Sequence, residues 1–252
     1  MNLPRCLWDV DRAGTGPFHT TLVLLPHSGG SAQAFGRWRG SFPAGVRVLA
    51  AQYPGRASRT SEPHAGTVRD IAAELAAALE PESGRLGVFG HSLGAYVGFE
   101  LCRELERAGR PPAVFFPSAA VPAHHDRGWG SSPADLTDGE LLGELREYGG
   151  TPDGLEEFPD MLSLALGVCR ADLTLAYEYS PGPGPWALSA PIVALGGDAD
   201  TVVSPAGLRG WGDLGTGPFE VHTFPGNHFY HLEHTAAVTR ILAEALSRTT
   251  AR

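Results

Sequence analysis

Ser92 lies at the centre of Gly90-His91-Ser92-Leu93-Gly94, a G-x-S-x-G pattern between an apolar run at 86–89 and a helical pattern. Glycines on both sides of a serine allow the tight strand-to-helix turn that exposes its hydroxyl. Apolar residues then recur at helical spacing at 97, 101, 102 and 105. The pattern predicts that Ser92 is a nucleophile, with an ordinary strand-to-helix turn as the alternative.

A serine hydroxyl is a weak nucleophile that needs a base within hydrogen-bond reach and a third group to orient that base. In the chain order serine, acid, histidine, the acid follows a late strand and the histidine precedes the last helix. Asp200 begins a loop after the apolar run 192–195, whereas Asp198 suits a turn. His228 follows the run 219–224, and His231 is the alternative base.

An oxyanion hole requires two backbone N–H groups directed at the oxygen that becomes negative in the tetrahedral intermediate. Leu93, directly after the nucleophile, is expected to supply one. The loop that begins after Leu25 contains Ser28 before two glycines, and we expect its N–H to supply the other. A glycine-rich turn or a phosphate loop is the alternative, although the chain has no G-x-x-x-x-G-K-[ST] pattern there.

Short β-rich runs alternate with helical patterns along the chain, which predicts an α/β fold with a mainly parallel sheet and helices on both faces. Thr67 is the predicted N-cap of one helix, and an amphipathic helix is predicted from about Thr235. The predicted strands cover 21–25, 46–51, 86–89, 113–116, 192–195 and 219–224.

A helical insertion is predicted at 119–190, where 136–148 and 155–179 have helical patterns. An insertion there would lie over the carboxyl ends of the strands, where α/β sheets place their ligands, and we expect it to form a lid. Apolar residues of 158–166 are expected to face the substrate as well as the core. The Pro/Gly-rich stretch 180–185 is expected to lead back to the sheet, or to be a long surface loop.

The 252 residues and 26.6 kDa predict one domain, 1–252. A net charge of −9 argues against nucleic-acid and anionic-membrane partners. Three widely spaced cysteines indicate neither a disulfide framework nor a zinc site. With no signal-like N-terminus or membrane span in the pattern, a cytoplasmic monomer is expected.

The chain resembles the stand-alone type II thioesterases of polyketide and nonribosomal peptide synthases, which are α/β-hydrolases. The resemblance covers nearly the whole chain, and its most specific motifs lie in the insertion and in the acid and histidine regions. It rests on Pro26-His27-Ser28-Gly29-Gly30, Tyr53-Pro54-Gly55-Arg56, Gly90-His91-Ser92-Leu93-Gly94-Ala95, Phe99-Glu100-Leu101, Gly149-Gly150-Thr151-Pro152, Arg170-Ala171-Asp172, Gly196-Gly197-Asp198-Ala199-Asp200 and Gly226-Asn227-His228-Phe229-Tyr230.

The resemblance implies Ser92 as nucleophile, His228 as base, Asp200 as its orienting acid, and the N–H groups of Ser28 and Leu93 as the oxyanion hole. The family usually has Ala at position 28 and Gly at position 227. The implied function is hydrolysis of thioesters on the phosphopantetheine arm of acyl or peptidyl carrier proteins, which edits a synthase and needs no cofactor or metal. A small-molecule esterase, an acyltransferase, or a carrier-protein binding module with a vestigial triad are the alternatives.

Carrier proteins are commonly acidic, as this chain is, so net charge opposes their encounter and docking has to be local. Arg56 and Arg59 follow Tyr53-Pro54-Gly55 and are expected near the rim of the active site. There they could pair with an acidic carrier helix or with the phosphate of its arm. Ordinary solvated arginines are the alternative.

Overall fold

A seven-stranded sheet forms the centre of the computed structural model, which describes residues 3–11, 18–127, 130–151, 154–182, 184 and 186–248. Pro152 of the Gly149-Gly150-Thr151-Pro152 motif, and Pro183 and Pro185 of the Pro/Gly-rich stretch, lie outside the described residues. The strands are β1 (Leu7–Asp9), β2 (Thr20–Leu25), β3 (Val46–Ala51), β4 (Arg85–His91), β5 (Val114–Ser118), β6 (Ile192–Gly197) and β7 (Phe219–Phe224).

Helices lie between and after these strands. The α-helices are α1 (Val68–Ala78), α2 (Leu93–Arg107), α3 (Asp138–Tyr148), α4 (Pro159–Glu178), α5 (Pro205–Arg209), α6 (Tyr230–Glu233) and α7 (Thr235–Arg248). The 3-10 helices cover Ala32–Trp38, Ala57–Arg59, Leu155–Glu157 and Gly210–Leu214. In the described part of the chain, no helix combines the length and hydrophobicity that a bilayer crossing needs.

The strand order is β1-β3-β2-β4-β5-β6-β7, and every neighbouring pair is parallel except β1 with β3. The predicted mainly parallel sheet is confirmed. The sequence analysis missed β1, because a three-residue strand at an edge carries too short a pattern to recognise. It also ended β4 too early: Gly90 and His91 continue the ladder opposite Pro117 and Ser118, where pairing holds a glycine in an extended conformation.

Two apolar cores lie on the two faces of the sheet. On one face, Ile71 of α1 and Leu101 of α2 belong to one buried cluster. On the other, Trp38 and Leu242 of α7 belong to a second cluster. Each fully buried Leu or Phe contributes about 1.5–3 kcal/mol, so the strands are fixed from both sides.

Local signals set the helix boundaries. Thr67 caps α1 as predicted, with its hydroxyl accepting the Asp70 N–H at 3.1 Å. The predicted helix 136–148 begins instead at Asp138, because Thr137 forms a capping box with Glu140. The predicted helix 155–179 is divided at Phe158, since Pro159 has no N–H to continue a helix but is well suited to begin α4.

Candidate active site

Ser92 occupies the turn between β4 and α2 with φ 55° and ψ −119°, a left-handed conformation that is rare for residues with a side chain. Its N–H donates to the Ser118 carbonyl at 2.8 Å, and its own carbonyl accepts the Ala95 N–H at 2.8 Å. These two bonds hold the strained backbone between strand and helix. The half-buried serine therefore lies at the carboxyl end of the sheet, as the sequence predicts.

The two glycines of the G-x-S-x-G pattern are required by close backbone approach. A Cβ on Gly90 would overlap the carbonyl oxygen of Gly94, and a Cβ on Gly94 would overlap that of Leu25. Neither obstacle is the mobile end of a side chain, so no other residue fits without moving the backbone. The G-x-S-x-G pattern is therefore required by the close packing of strand, turn and helix.

Asp200 and His228 are brought together from the loops after β6 and β7. His228 Nδ1 lies 2.9 Å from Asp200 Oδ2, and both side chains are almost fully buried. The other carboxylate oxygen accepts the N–H groups of Val202 at 2.8 Å and Val203 at 3.1 Å, which fix its orientation. A carboxylate only accepts, so the imidazole proton resides on Nδ1 and leaves Nε2 available as a base.

Asp198 has a different environment. Its N–H donates to the Phe224 carbonyl at 2.8 Å, and its side chain accepts the Gly226 N–H at 3.1 Å. These bonds join the ends of β6 and β7. The side chain therefore shapes the turn before His228, while Asp200 contacts the imidazole itself.

Ser28 and Leu93, the predicted oxyanion residues, both line a cavity of about 590 Å³ together with Ser92 and His228. Gly30 N–H closes the turn of the Ser28 loop onto the His27 carbonyl at 2.9 Å. The Ser28 hydroxyl is buried without a hydrogen-bond partner among the described residues. The predicted nucleophile, the predicted base and the two residues predicted to form the oxyanion hole thus line one chamber.

The 119–190 segment supplies much of the apolar wall of this cavity. From α4, Leu162, Ala165 and Leu166 line it, and Tyr148 at the end of α3 lies with its ring centroid 6.0 Å from that of His228. The expectation for 158–166 holds only in part, because Phe158, Met161 and Leu164 are 57–63% exposed. The helical period divides the apolar residues between cavity and solvent.

Three further histidines surround the site. His91 and His231 lie with ring centroids 4.2 Å apart, and His91 Nδ1 lies 2.8 Å from the Ser118 hydroxyl, which contacts the Tyr230 hydroxyl at 2.7 Å. Burial, with the nearby His228, lowers the pKa of His27 to about 4 and that of His231 to about 3. Burial also lowers the pKa of His91. The lowered pKa values keep these three histidines neutral near pH 7.

Arg56 and Arg59 are not at a solvent-exposed rim, so the docking role expected for them is wrong, and so is the solvated alternative. Both are only 6% exposed. Arg59 pairs with Glu62 and with Glu74, at 2.6 and 2.8 Å. Arg56 forms a bidentate ion pair with Asp172 of α4. The sequence gives the charge of these side chains, whereas Asp172 lies 116 positions from Arg56 and Glu74 lies 15 positions from Arg59.

Asp172 is the residue of the site whose contacts the sequence analysis missed. It is fully buried and accepts the Gly29 N–H at 2.7 Å. The signals were present, because Asp172 and Arg56 both belong to motifs of the resemblance. The sequence alone does not indicate that two motifs 116 residues apart are in contact in the folded protein.

One cluster outside the residues that line the cavity could hold a metal ion. His124, His125 and Asp213 bring ligand atoms within 4.8 Å of one another, with His125 Nε2 and Asp213 Oδ2 3.1 Å apart. The contact joins the first loop of the 119–190 segment to the 3-10 helix Gly210–Leu214. None of its three residues lines the cavity that contains Ser92 and His228.

Comparison with known proteins identifies the family of this chain. Residues 20–246 match the Thioesterase domain family. Thioesterase PikA5 of Streptomyces venezuelae is 37% identical over 214 residues, which are 83% of this chain and 74% of PikA5. BorB, the type II thioesterase from the borrelidin biosynthetic cluster, superposes with a TM-score of 0.87 at 35% identity, over 98% of this chain and 99% of BorB.

YbtT, a type II thioesterase from the yersiniabactin NRPS/PKS biosynthetic pathway, superposes with a TM-score of 0.83 at 28% identity, over 97% of this chain and 99% of YbtT. The chain belongs to the Thioesterase domain family. It is a thioesterase with the α/β-hydrolase fold, as the resemblance implied.

Proposed function

We propose that this thioesterase hydrolyses acyl groups from the phosphopantetheine arm of acyl or peptidyl carrier proteins, using Ser92, His228 and Asp200. The observation that carries the proposal is the Asp200–His228 contact at 2.9 Å, with His228 and the strained Ser92 lining the same cavity. The similarity to PikA5, BorB and YbtT supports the substrate class.

In the first half-reaction, Ser92 Oγ attacks the thioester carbonyl carbon while His228 Nε2 takes its proton. The N–H groups of Ser28 and Leu93 stabilise the oxyanion. The carbon–sulfur bond then breaks, and His228 returns the proton to the thiolate. Asp200 stabilises the imidazolium that exists between these two transfers.

In the second half-reaction, water attacks the acyl-serine carbonyl carbon and His228 accepts a proton from it. The bond between that carbon and Ser92 Oγ breaks, the serine regains its proton, and a carboxylic acid leaves. The chemistry requires only these side chains, two backbone N–H groups and water. An amine or alcohol in place of water would turn the same intermediate into a transfer product.

The 119–190 segment serves in this proposal as a lid over a single domain that spans 1–252. Its Leu162, Ala165 and Leu166 line the chamber where an acyl chain of the substrate would lie. The thioesterase would act as a monomer in the cytoplasm beside its carrier proteins. The three free cysteines agree with a reducing compartment.

The test is mass spectrometry of an acylated carrier protein before and after incubation with this thioesterase. Hydrolysis removes the acyl mass and releases the free acid. Transfer moves that mass to an added amine or alcohol, and mere binding leaves the carrier unchanged. The Ser92→Ala variant is the matched control and should be slower by roughly 10³-fold or more. Deacylation at the wild-type rate by this variant would refute the proposed mechanism.

A further inference from the structure

Asp172 is a charged residue with no access to solvent, and its carboxylate contacts both Arg56 and the loop 27–30. Oδ2 accepts the Gly29 N–H at 2.7 Å and contacts Arg56 Nη1, while Oδ1 accepts from Arg56 Nη2 at 2.7 Å. Gly29 directly follows Ser28, whose N–H the proposed function places in the oxyanion hole. A residue of α4 thereby reaches the loop that polarises the substrate carbonyl.

Arg56 holds the same loop from its other side. Its Nη1 donates to the Gly30 carbonyl at 3.4 Å, and its Nε donates to the Pro54 carbonyl at 3.2 Å. The Gly29 N–H bond to Asp172 fixes the peptide plane between Ser28 and Gly29, and the Arg56 bond to the Gly30 carbonyl fixes the plane between Gly30 and Ser31. The peptide planes of such a short loop are linked through few dihedral angles, so fixing them constrains the plane that carries the Ser28 N–H.

Packing at Gly29 adds to this constraint. Its φ is +77°, and a Cβ there would overlap the Cys169 sulfur, one turn before Asp172 on α4. The helix therefore touches the loop both through van der Waals contact and through a charged hydrogen bond. This close approach needs glycine at position 29.

Stability alone is a poor reason for this arrangement. Desolvating a carboxylate and a guanidinium costs several kcal/mol per ion, and apolar replacements of buried ion pairs are often as stable. What the pair supplies is a carboxylate of fixed orientation, and such groups form short, strong bonds to backbone N–H donors.

We infer that Asp172, oriented by Arg56, is a positioning residue for the oxyanion hole. It fixes the loop 27–30 so that the Ser28 N–H points at the developing oxyanion. The geometry of the oxyanion hole then depends on the packing of α4 against this loop. The inference rests on the proposed function, because it assumes that the Ser28 N–H stabilises charge formed when Ser92 attacks.

The experiment compares two ligands of the same acyl chain. A trifluoromethyl ketone forms a bond from Ser92 Oγ to its carbonyl carbon, with the serine proton passing to His228, and places an oxyanion in the hole. A thioether analogue has no carbonyl and fills only the cavity. Because both affinities are measured on the folded protein, their ratio is insensitive to partial unfolding of a variant.

Asp172→Asn should weaken binding of the trifluoromethyl ketone by about 10- to 100-fold. This loss of affinity is smaller than the loss expected when one hydrogen-bond donor of an oxyanion hole is removed altogether. Binding of the thioether should change by less than about twofold, and kcat should fall with KM nearly unchanged. Arg56→Lys keeps the charge but loses the bidentate geometry. It should therefore also weaken binding of the trifluoromethyl ketone more than binding of the thioether, but by a smaller factor than Asp172→Asn does.

Glu74→Gln is the matched control. It removes a carboxylate that pairs with the neighbouring buried arginine, Arg59, away from the loop 27–30. It should leave the ratio of the two affinities unchanged. A ratio in Asp172→Asn equal to that of the wild type would overturn the inference. Because the proposed function is tested by Ser92→Ala, a serine-dependent thioesterase with an unchanged ratio would refute the positioning role alone.

Discussion

Asp198 and Asp200 show how two acids only two positions apart acquire different roles. Both follow β6, and position in the chain alone does not separate them. The side chain of Asp198 accepts a backbone N–H of the turn after β7, whereas that of Asp200 contacts His228 at 2.9 Å. The difference comes from the loop after β6, in which the Asp200 carboxylate accepts the N–H groups of Val202 and Val203 and is held toward His228.

Asp200→Asn is expected to lower kcat strongly, by roughly 10³-fold or more, because an amide cannot stabilise the imidazolium and can favour the wrong tautomer of His228. Asp198→Asn is the matched control and should change kcat by much less, since an amide oxygen can still accept the Gly226 N–H. Steady-state kinetics on one thioester checks both. The reverse order of the two variants would assign the acid to Asp198.

The buried histidines predict how stability depends on pH. Folding lowers the pKa of His27 from 6.5 to about 4 and that of His231 from 6.5 to about 3, chiefly through burial. At a pH between the unfolded pKa of 6.5 and the lower folded pKa values, the unfolded chain binds more protons than the folded protein does. The free energy of unfolding therefore falls as the pH drops below about 6.5. Each histidine contributes a slope that approaches about 1.4 kcal/mol per pH unit.

His231→Phe should remove one of these slopes, because the variant has no proton to bind at that position. Urea unfolding between pH 7 and pH 4 measures the dependence in the wild type and in the variant. The variant should lose less stability over that window. An equally steep pH dependence in both proteins would show that His231 is protonated in the folded state.

The end of α3 is where the 119–190 segment touches the histidine loop. Gly149 ends the helix with φ +82°, and a Cβ there would lie 2.6 Å from the Asn227 amide nitrogen. A Cβ on Gly150 would overlap the ring of Phe229. Asn227, where the family usually has Gly, in turn accepts the Phe229 N–H at 2.9 Å. The two glycines allow the helix to pack against the loop that carries His228.

Substitution of alanine for Gly149, which follows α3, and for Gly143, within α3, tests this contact. Gly149→Ala should lower the free energy of unfolding by about 1 kcal/mol or more, because of its positive φ and the Asn227 contact. Gly143→Ala, where a Cβ meets no atom within 4 Å, should raise it by about 0.5–1 kcal/mol. Equal effects at both positions would show that α3 does not pack on the loop as described.

The two faces of α4 predict a dependence on acyl chain length. Leu162 lines the cavity, while Leu164 is 63% exposed. Leu162→Ser should raise KM about tenfold for long acyl chains, through lost apolar contact, and barely affect short ones. Leu164→Ser is the matched control and should change neither. A uniform loss across chain lengths in Leu162→Ser would indicate destabilisation instead of a lost substrate contact.

In the molecule as a whole, the parts that are predictable from sequence are those set by local patterns. The parallel strands, the cap at Thr67 and the G-x-S-x-G turn depend on residues within a few positions of each other. The contacts of Arg56 with Asp172 and of Arg59 with Glu74 depend on how distant segments pack, and a charged residue in the sequence carries no sign of its burial. The contact between Asp172 and Gly29 is not predictable from local patterns either, because the two residues lie 143 positions apart.

The Ser92 acyl-enzyme is the intermediate on which the proposed function depends. Acylated carrier protein and an equal amount of this thioesterase are mixed in ¹⁸O-labelled water, quenched in acid at short times, and analysed by intact mass and by peptide mapping. We predict a transient acyl adduct on the peptide that contains Ser92, followed by free acid carrying one ¹⁸O atom. Loss of the acyl group from the carrier with the adduct on another residue, or undiminished loss in Ser92→Ala, would contradict the mechanism.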